Sequence, residues 1–188
     1  MYPPAGIRLF TLKSTHMAQR LIVDMDGVLA DIYAQYFRFE TMESGIQRSR
    51  EDMTGRPESE VFRNIRKYVF TRGFFRDAPV IQGSCKALKK LNAQYELFVV
   101  SSATEFPQSL NEKHDWLTEH FPFITWQQMV FCGSKAVVHG DIMIDDHFKN
   151  LDSFNGKTIL FTQPHNSGLP DNHHIRVHSW EEILKILL

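Results

Sequence analysis

Five short apolar runs, each closed by a polar or glycine-containing turn, set the strongest limit on how this chain can fold. They are RLIVDM at 20–25, ELFVV at 96–100, QMVFC at 128–132, DIMID at 141–145 and KTILF at 157–161. Runs this short and this continuously apolar suit strands buried on both faces, as in a parallel sheet. Helical patterns lie between and after them. Ser84 is placed to cap a helix carrying Cys85, Leu88 and Leu91 on one face. Pro107 suits a first helical turn, followed by Leu110, His114, Leu117 and Phe121 at helical spacing. Ser179-Trp180-Glu181-Glu182 fits a capping box for a last helix. Strands alternating with helices predict an α/β fold: a three-layer, Rossmann-type parallel sheet.

The stretch 33–80 breaks this rhythm. It is rich in Phe and Arg, contains Gly45, Gly55 and Pro57, and offers helix-like patches without a core strand, so it reads as a small helical cap inserted after the first strand. The expected division is an N-terminal extension at 1–19, a core at 20–32 and 81–188, and the cap at 33–80. No internal repeat or low-complexity tract interrupts it.

Lys and Arg total 21 against 22 for Asp and Glu. With so little net charge the chain lacks the broad attraction that binds nucleic-acid polymers or anionic membranes, so a phosphate-bearing ligand needs a local site. Cys85 and Cys132 form no metal-type pair and read as buried free thiols in a reducing cytoplasm. The first twenty residues lack the apolar stretch of a secretory signal, and no run of ~18 apolar residues occurs. A cytoplasmic location is the expectation, and a homodimer is left open.

In doubly wound sheets, ligands collect at the carboxyl ends of the strands. Asp24 and Asp26 follow the first run two residues apart, with Gly27 permitting a sharp departure of the backbone. One carboxylate can attack phosphorus while the other moves protons. Ser101 and Ser102 follow the second run, where hydroxyls and backbone N–H groups can bind phosphoryl oxygens, although a Ser-Ser pair alone is also an ordinary turn. Lys135, after the third run, can neutralise a nucleophile and a transferring phosphoryl group. Asp145 and Asp146 end the fourth, and adjacent acids there are costly unless a cation meets them. Mg²⁺ fits, since it takes one or two carboxylates together with substrate phosphate.

The order DMDG, VVSS, Lys, IDD resembles that of the haloacid dehalogenase superfamily of phosphohydrolases over nearly all of residues 20–188. VDMDGVLAD at 23–31, GFF at 73–75, EKHDWLTEH at 112–120, GDIMIDD at 140–146 and LFTQPHN at 160–166 further resemble the 5′(3′)-deoxyribonucleotidase family. The resemblance implies a Mg²⁺-dependent phosphomonoesterase acting through an aspartyl-phosphate. It makes Asp24 the nucleophile and Asp26 the general acid and base. Asp24, the carbonyl of Asp26 and Asp146 would hold Mg²⁺. Ser101, Ser102 and Lys135 would bind phosphate, with Asp145 in support. The implied partner is a small phosphate monoester, a nucleoside monophosphate in particular.

Ile32 and Val69 stand where mammalian members of the family carry aromatic residues against the base. Phe37, Phe70, Phe74 and Phe75 offer replacement stacking, with Phe74 and Phe75 taken as substrate-side candidates, although a Phe in a small cap also serves as core. His165 and Asn166 are expected to be loop structure, with substrate contact as the lesser alternative. A phosphatase for another metabolite, such as a sugar phosphate, fits the same stations. A phospho-receiver domain fits less well, because receivers carry paired acids after the first strand and a lone phosphoacceptor after the third.

Overall fold

A computed structural model describes residues 18–188. Apart from Ala18 and Gln19, the N-terminal extension assigned to 1–19 lies outside the described residues. The five apolar runs form strands: β1 Arg20–Asp24, β2 Glu96–Ser101, β3 Met129–Phe131, β4 Ile142–Asp145 and β5 Lys157–Phe161. A sixth, β6 Ile175–Val177, was not apparent in the sequence, because it has three residues and its Ile175 is exposed. All neighbours are parallel, in the order β3-β2-β1-β4-β5-β6.

Alternate strand residues face opposite sides of the sheet. Leu21, Val23, Val99, Ile144 and Ile159 belong to the larger core, together with Leu88 and Leu91 of α4 (Ser84–Asn92), Trp116 and Leu117 of α5 (Ser109–His120) and Trp180 and Ile183 of α7 (Trp180–Leu187). Ile22, Val100, Met143 and Leu160 face the other side and pack with Leu151 of α6 (Phe148–Leu151). Helices therefore cover both faces, giving the expected three-layer α/β arrangement. Among the described residues, no helix is long and apolar enough to cross a membrane.

Several local expectations shift. Gly83, in the left-handed region, occupies the N-cap position of α4, and the Ser84 hydroxyl turns back to donate to the Ile81 carbonyl. Cys85 is exposed and Cys132 half-buried, so the thiols are not the buried pair expected. On α5 the inward face carries Lys113, Trp116 and Leu117, while His114 is exposed. At α7, Ser179 accepts from the Glu182 N–H as a capping box requires, but the Glu182 carboxylate accepts from the His178 N–H.

Between β1 and α4 lie α1 (Ile32–Ser44), α2 (Glu58–Val61) and α3 (Ile65–Val69). Asp31 caps α1 by accepting from the Ala34 N–H. These helices have their own aromatic core, in which the rings of Phe62 and Phe74 each lie 5.1 Å from that of Tyr36. The chain enters and leaves this helical segment through a paired ribbon. The Asp31 N–H donates to the Pro79 carbonyl at 2.7 Å and the Ile81 N–H to the Leu29 carbonyl at 2.8 Å. Buried indoles anchor both sides, with Trp180 donating to the Val28 carbonyl and Trp116 to the Ala78 carbonyl.

Candidate active site

Because β1, β2 and β4 are adjacent and parallel, their carboxyl ends bring Asp24, Ser101 and Asp145 to one edge of the sheet. A 3₁₀ turn at Lys135–Val137 delivers Lys135 to the same place. Its ammonium lies 2.6 Å from both Asp24 Oδ1 and Asp145 Oδ2, and all three side chains are buried. The Met25 N–H also donates to Asp24 Oδ1, at 2.6 Å. Asp145 accepts from the His147 N–H at 2.9 Å and from the Asn150 amide at 3.0 Å.

Burial disfavours every charged form here. For Asp145, Lys135 and these hydrogen bonds outweigh burial, and the carboxyl is held below its ordinary range. For Lys135, Asp145 and Asp24 likewise outweigh burial and raise the ammonium. For Asp24, burial and then Asp145 prevail over Lys135 and push the carboxyl up to about 8. Asp146 is also raised, by burial and then by Asp145. Two buried carboxyls thus share one ammonium, and a third, that of Asp146, lies beside them.

That surplus of acid fits a hard divalent cation. Asp24, Asp145 and Asp146 each bring a carboxylate oxygen within 4.8 Å of the other two. Asp145 is already engaged by Lys135 and Asn150, whereas Asp146 Oδ1 is buried with no hydrogen-bond partner. A buried carboxylate oxygen without a donor is expensive unless a cation meets it, so the donor set suits Mg²⁺. Gly27 makes the approach possible. Its φ of 77° favours glycine, and a Cβ there would stand 2.1 Å from Asp146 Oδ2.

The Asp26 carboxylate pairs through Oδ2 with the ammonium of Lys113, while its Oδ1 has no partner among the described residues. Lys113 also donates to Ser101 Oγ at 2.9 Å and lies 4.4 Å from the centre of the Phe75 ring. Sequence reasoning passed over Lys113. Its one available signal was a lysine on the inward face of an amphipathic helix.

A cavity of about 150 Å³ opens over these groups. Asp24, Asp26, Ser101, Ser102, Lys135 and Asp146 line it, as do Ile32 and Phe75. Tyr33, Tyr36 and Glu58 enter from the helical segment, and Glu105 and Phe106 from the turn after β2. The Phe106 and Phe75 rings stack with centroids 6.0 Å apart. Phe74 is not brought to the cavity, because its ring is fully buried in the aromatic core of the helices. Val69 is buried in the same cluster. Asn166 donates to the Asp146 carbonyl at 2.7 Å, and His165 Nε2 lies 2.9 Å from the same oxygen. Burial and then neighbouring His147 lower the His165 imidazole to about 4.

Residues 18–188 match the model of the family described as "5′ nucleotidase, deoxy (pyrimidine), cytosolic type C protein". A 5′(3′)-deoxyribonucleotidase of Bacillus subtilis is 38% identical over 182 residues, covering 92% of this chain and 100% of the relative. A 5′(3′)-deoxyribonucleotidase of Bacillus phage SPbeta matches to the same extent. Among solved structures, a haloacid dehalogenase-like family hydrolase from Streptococcus pneumoniae superposes with a TM-score of 0.60 over 91% of this chain and 99% of its own, at 15% identity. At that identity the likeness speaks for the fold alone.

Proposed function

Since the chain belongs to the deoxy, cytosolic type C 5′-nucleotidase family and is a nucleotide phosphatase of the haloacid dehalogenase type, we propose that its substrates are deoxynucleoside monophosphates, cleaved to nucleoside and phosphate through an aspartyl-phosphate on Asp24. The observation that carries this reading is the buried acid cluster of Asp24, Asp145 and Asp146 around the Lys135 ammonium, at the floor of a cavity walled by Phe75, Phe106 and Tyr36. A phosphate monoester suits the floor, and a ring system suits the walls.

Asp24, the Asp26 carbonyl and Asp146 would hold Mg²⁺, which would supply the positive charge that lets a carboxylate approach a dianionic ester. An Asp24 oxygen attacks phosphorus. The bond to the ester oxygen breaks as the new P–O bond forms, and Asp26 delivers a proton to the departing alkoxide. Asp26 then takes a proton from the water that attacks phosphorus and releases Asp24. Ser101, Ser102 and Lys135 orient the phosphoryl oxygens. Lys113, set between Asp26 and Ser101, holds the carboxylate of Asp26 in place. The helical segment covers the cavity and excludes water during transfer.

A Mg²⁺-dependent hydrolysis screen across deoxynucleoside 5′- and 3′-monophosphates, ribonucleotides and sugar phosphates tests this reading. The expected result is a kcat/KM for deoxynucleotides well above that for sugar phosphates. The reverse ranking overturns the substrate class and assigns the same chemistry to another metabolite.

A further inference from the structure

We propose that Glu58, His147 and His165 form a second cation site, for a zinc-class divalent ion, beside the acid cluster and distinct from it. Each of the three offers a ligand atom within 4.8 Å of the other two. They come from separate parts of the fold. Glu58 opens α2 in the helical segment, His147 immediately precedes α6, and His165 lies in the 3₁₀ turn Pro164–Asn166 beyond β5.

The hydrogen count at this point favours a cation. His165 Nε2 faces the Asp146 carbonyl at 2.9 Å, and a carbonyl can only accept, so Nε2 carries the ring hydrogen. In the neutral ring, Nδ1 is then a lone pair. It lies 2.5 Å from the Tyr33 hydroxyl oxygen and 3.6 Å from Glu58 Oε1, and Tyr33 and Glu58 are themselves in hydrogen-bond contact. Two acceptors therefore compete for the single hydrogen of Tyr33. Whichever of Glu58 and His165 receives it, the other is left facing a lone pair in a half-buried place, an arrangement that costs free energy. A cation held by Glu58 Oε1 and His165 Nδ1 removes the conflict.

The donors identify the class of ion. Two imidazole nitrogens and one carboxylate, with a position left for water or Tyr33, match the tetrahedral preference of Zn²⁺ and its neighbours. Mg²⁺ prefers oxygen ligands in octahedral geometry. The His165 Nε2–H directed at a backbone carbonyl is also the outer contact that orients a metal-binding histidine. His147 stacks on His165 with ring centroids 4.3 Å apart, and its Nε2 lies 4.0 Å from Asp146 Oδ1, so its imidazole is held at the border between this group and the acid cluster. Such an ion would tie the helical segment to the sheet next to Asp146.

The test uses the full chain stripped of metal and then given excess Mg²⁺ to fill the acid cluster, with Zn²⁺ titrated by equilibrium dialysis and Co²⁺ as a visible-absorbance probe. No substrate enters the readout, so the outcome is independent of the phosphatase reading. The expected result is one Zn²⁺ retained per chain, with Co²⁺ giving the intense d–d bands of a low-coordinate site containing nitrogen ligands. Glu58→Gln and His147→Ala should each weaken Zn²⁺ at least about 10- to 100-fold. His173→Ala, at the exposed neighbour of the hydrogen-bonded Thr158–His174–Asp152 array, should leave the affinity unchanged. Complete displacement of zinc by Mg²⁺, or unaltered affinity in folded His147→Ala, would overturn the proposal. Folding of both variants is checked by circular dichroism, and His147→Ala decides the matter if Glu58→Gln does not fold.

Discussion

The carboxyl edge of the sheet and the helical segment spanning α1 to α3 are both densely buried, but they are held together by different forces. At the edge, Asp24, Lys135 and Asp145 are fixed by directional contacts of 2.6–3.0 Å to named atoms. In the helical segment, Tyr36, Phe62 and Phe74 are fixed by the packing of rings 5.1 Å apart. Directional contacts tolerate no change of chemical group, whereas apolar packing tolerates swaps that conserve volume. On the proposed function, the reaction would belong to the directionally held edge and the choice of leaving group to the apolar segment.

Four substitutions or conditions test that contrast. Asp24→Asn should lower kcat on the order of 10⁴-fold or more while leaving the fold intact. Single-turnover hydrolysis beside a circular dichroism spectrum decides it, and retained turnover would remove Asp24 from its role. Lys135→Met should cost about 3–5 kcal/mol of stability, because Asp24 and Asp145 then stay buried without their cation. Urea unfolding in the presence of a chelator measures this, and a variant as stable as the parent would show that electrostatics do not bind the edge together.

The third test is metal removal across pH. The metal-free fold holds the Asp24 proton up to about 8, against an ordinary value of 3.8. The unfolded chain releases that proton near its ordinary value, so it binds fewer protons than the fold throughout this window. Stability of the metal-free protein should therefore fall as pH rises from about 4 to about 8. On the proposed reading Mg²⁺ would displace the proton, so the gain in Tm on adding Mg²⁺ should grow over the same range, at about 2–4 °C per kcal/mol. An increment that stays flat with pH would separate Asp24 from the metal. The mildest change, Phe74→Met, should cost less than about 1.5 kcal/mol and leave kcat at saturating substrate nearly unchanged. A collapse of kcat in that variant would mean the two regions are not separable.

The sequence disclosed the parts of the molecule that repeat a simple period. The runs at 20–25, 96–100, 128–132, 141–145 and 157–161 are readable because a strand buried on both faces needs continuous apolar residues. β6 is hidden because an exposed edge strand of three residues needs no such run. On α5, counting apolar residues favoured the line through Leu110 and His114, yet Lys113 faces inward because its charge meets Asp26. A pattern of hydrophobicity cannot register a buried lysine whose partner lies 87 residues away. The same limit hid Glu58 and Tyr33, whose contacts with His165 join opposite ends of the chain. Asp24, Asp26, Asp145 and Asp146 were visible as candidates because acids that close an apolar run break the period they terminate.

The paired ribbon at Leu29–Asp31 and Pro79–Ile81 brings the two ends of the intervening helical segment side by side. With both ends together, the length of the segment between them is not dictated by the spacing of the strands it connects.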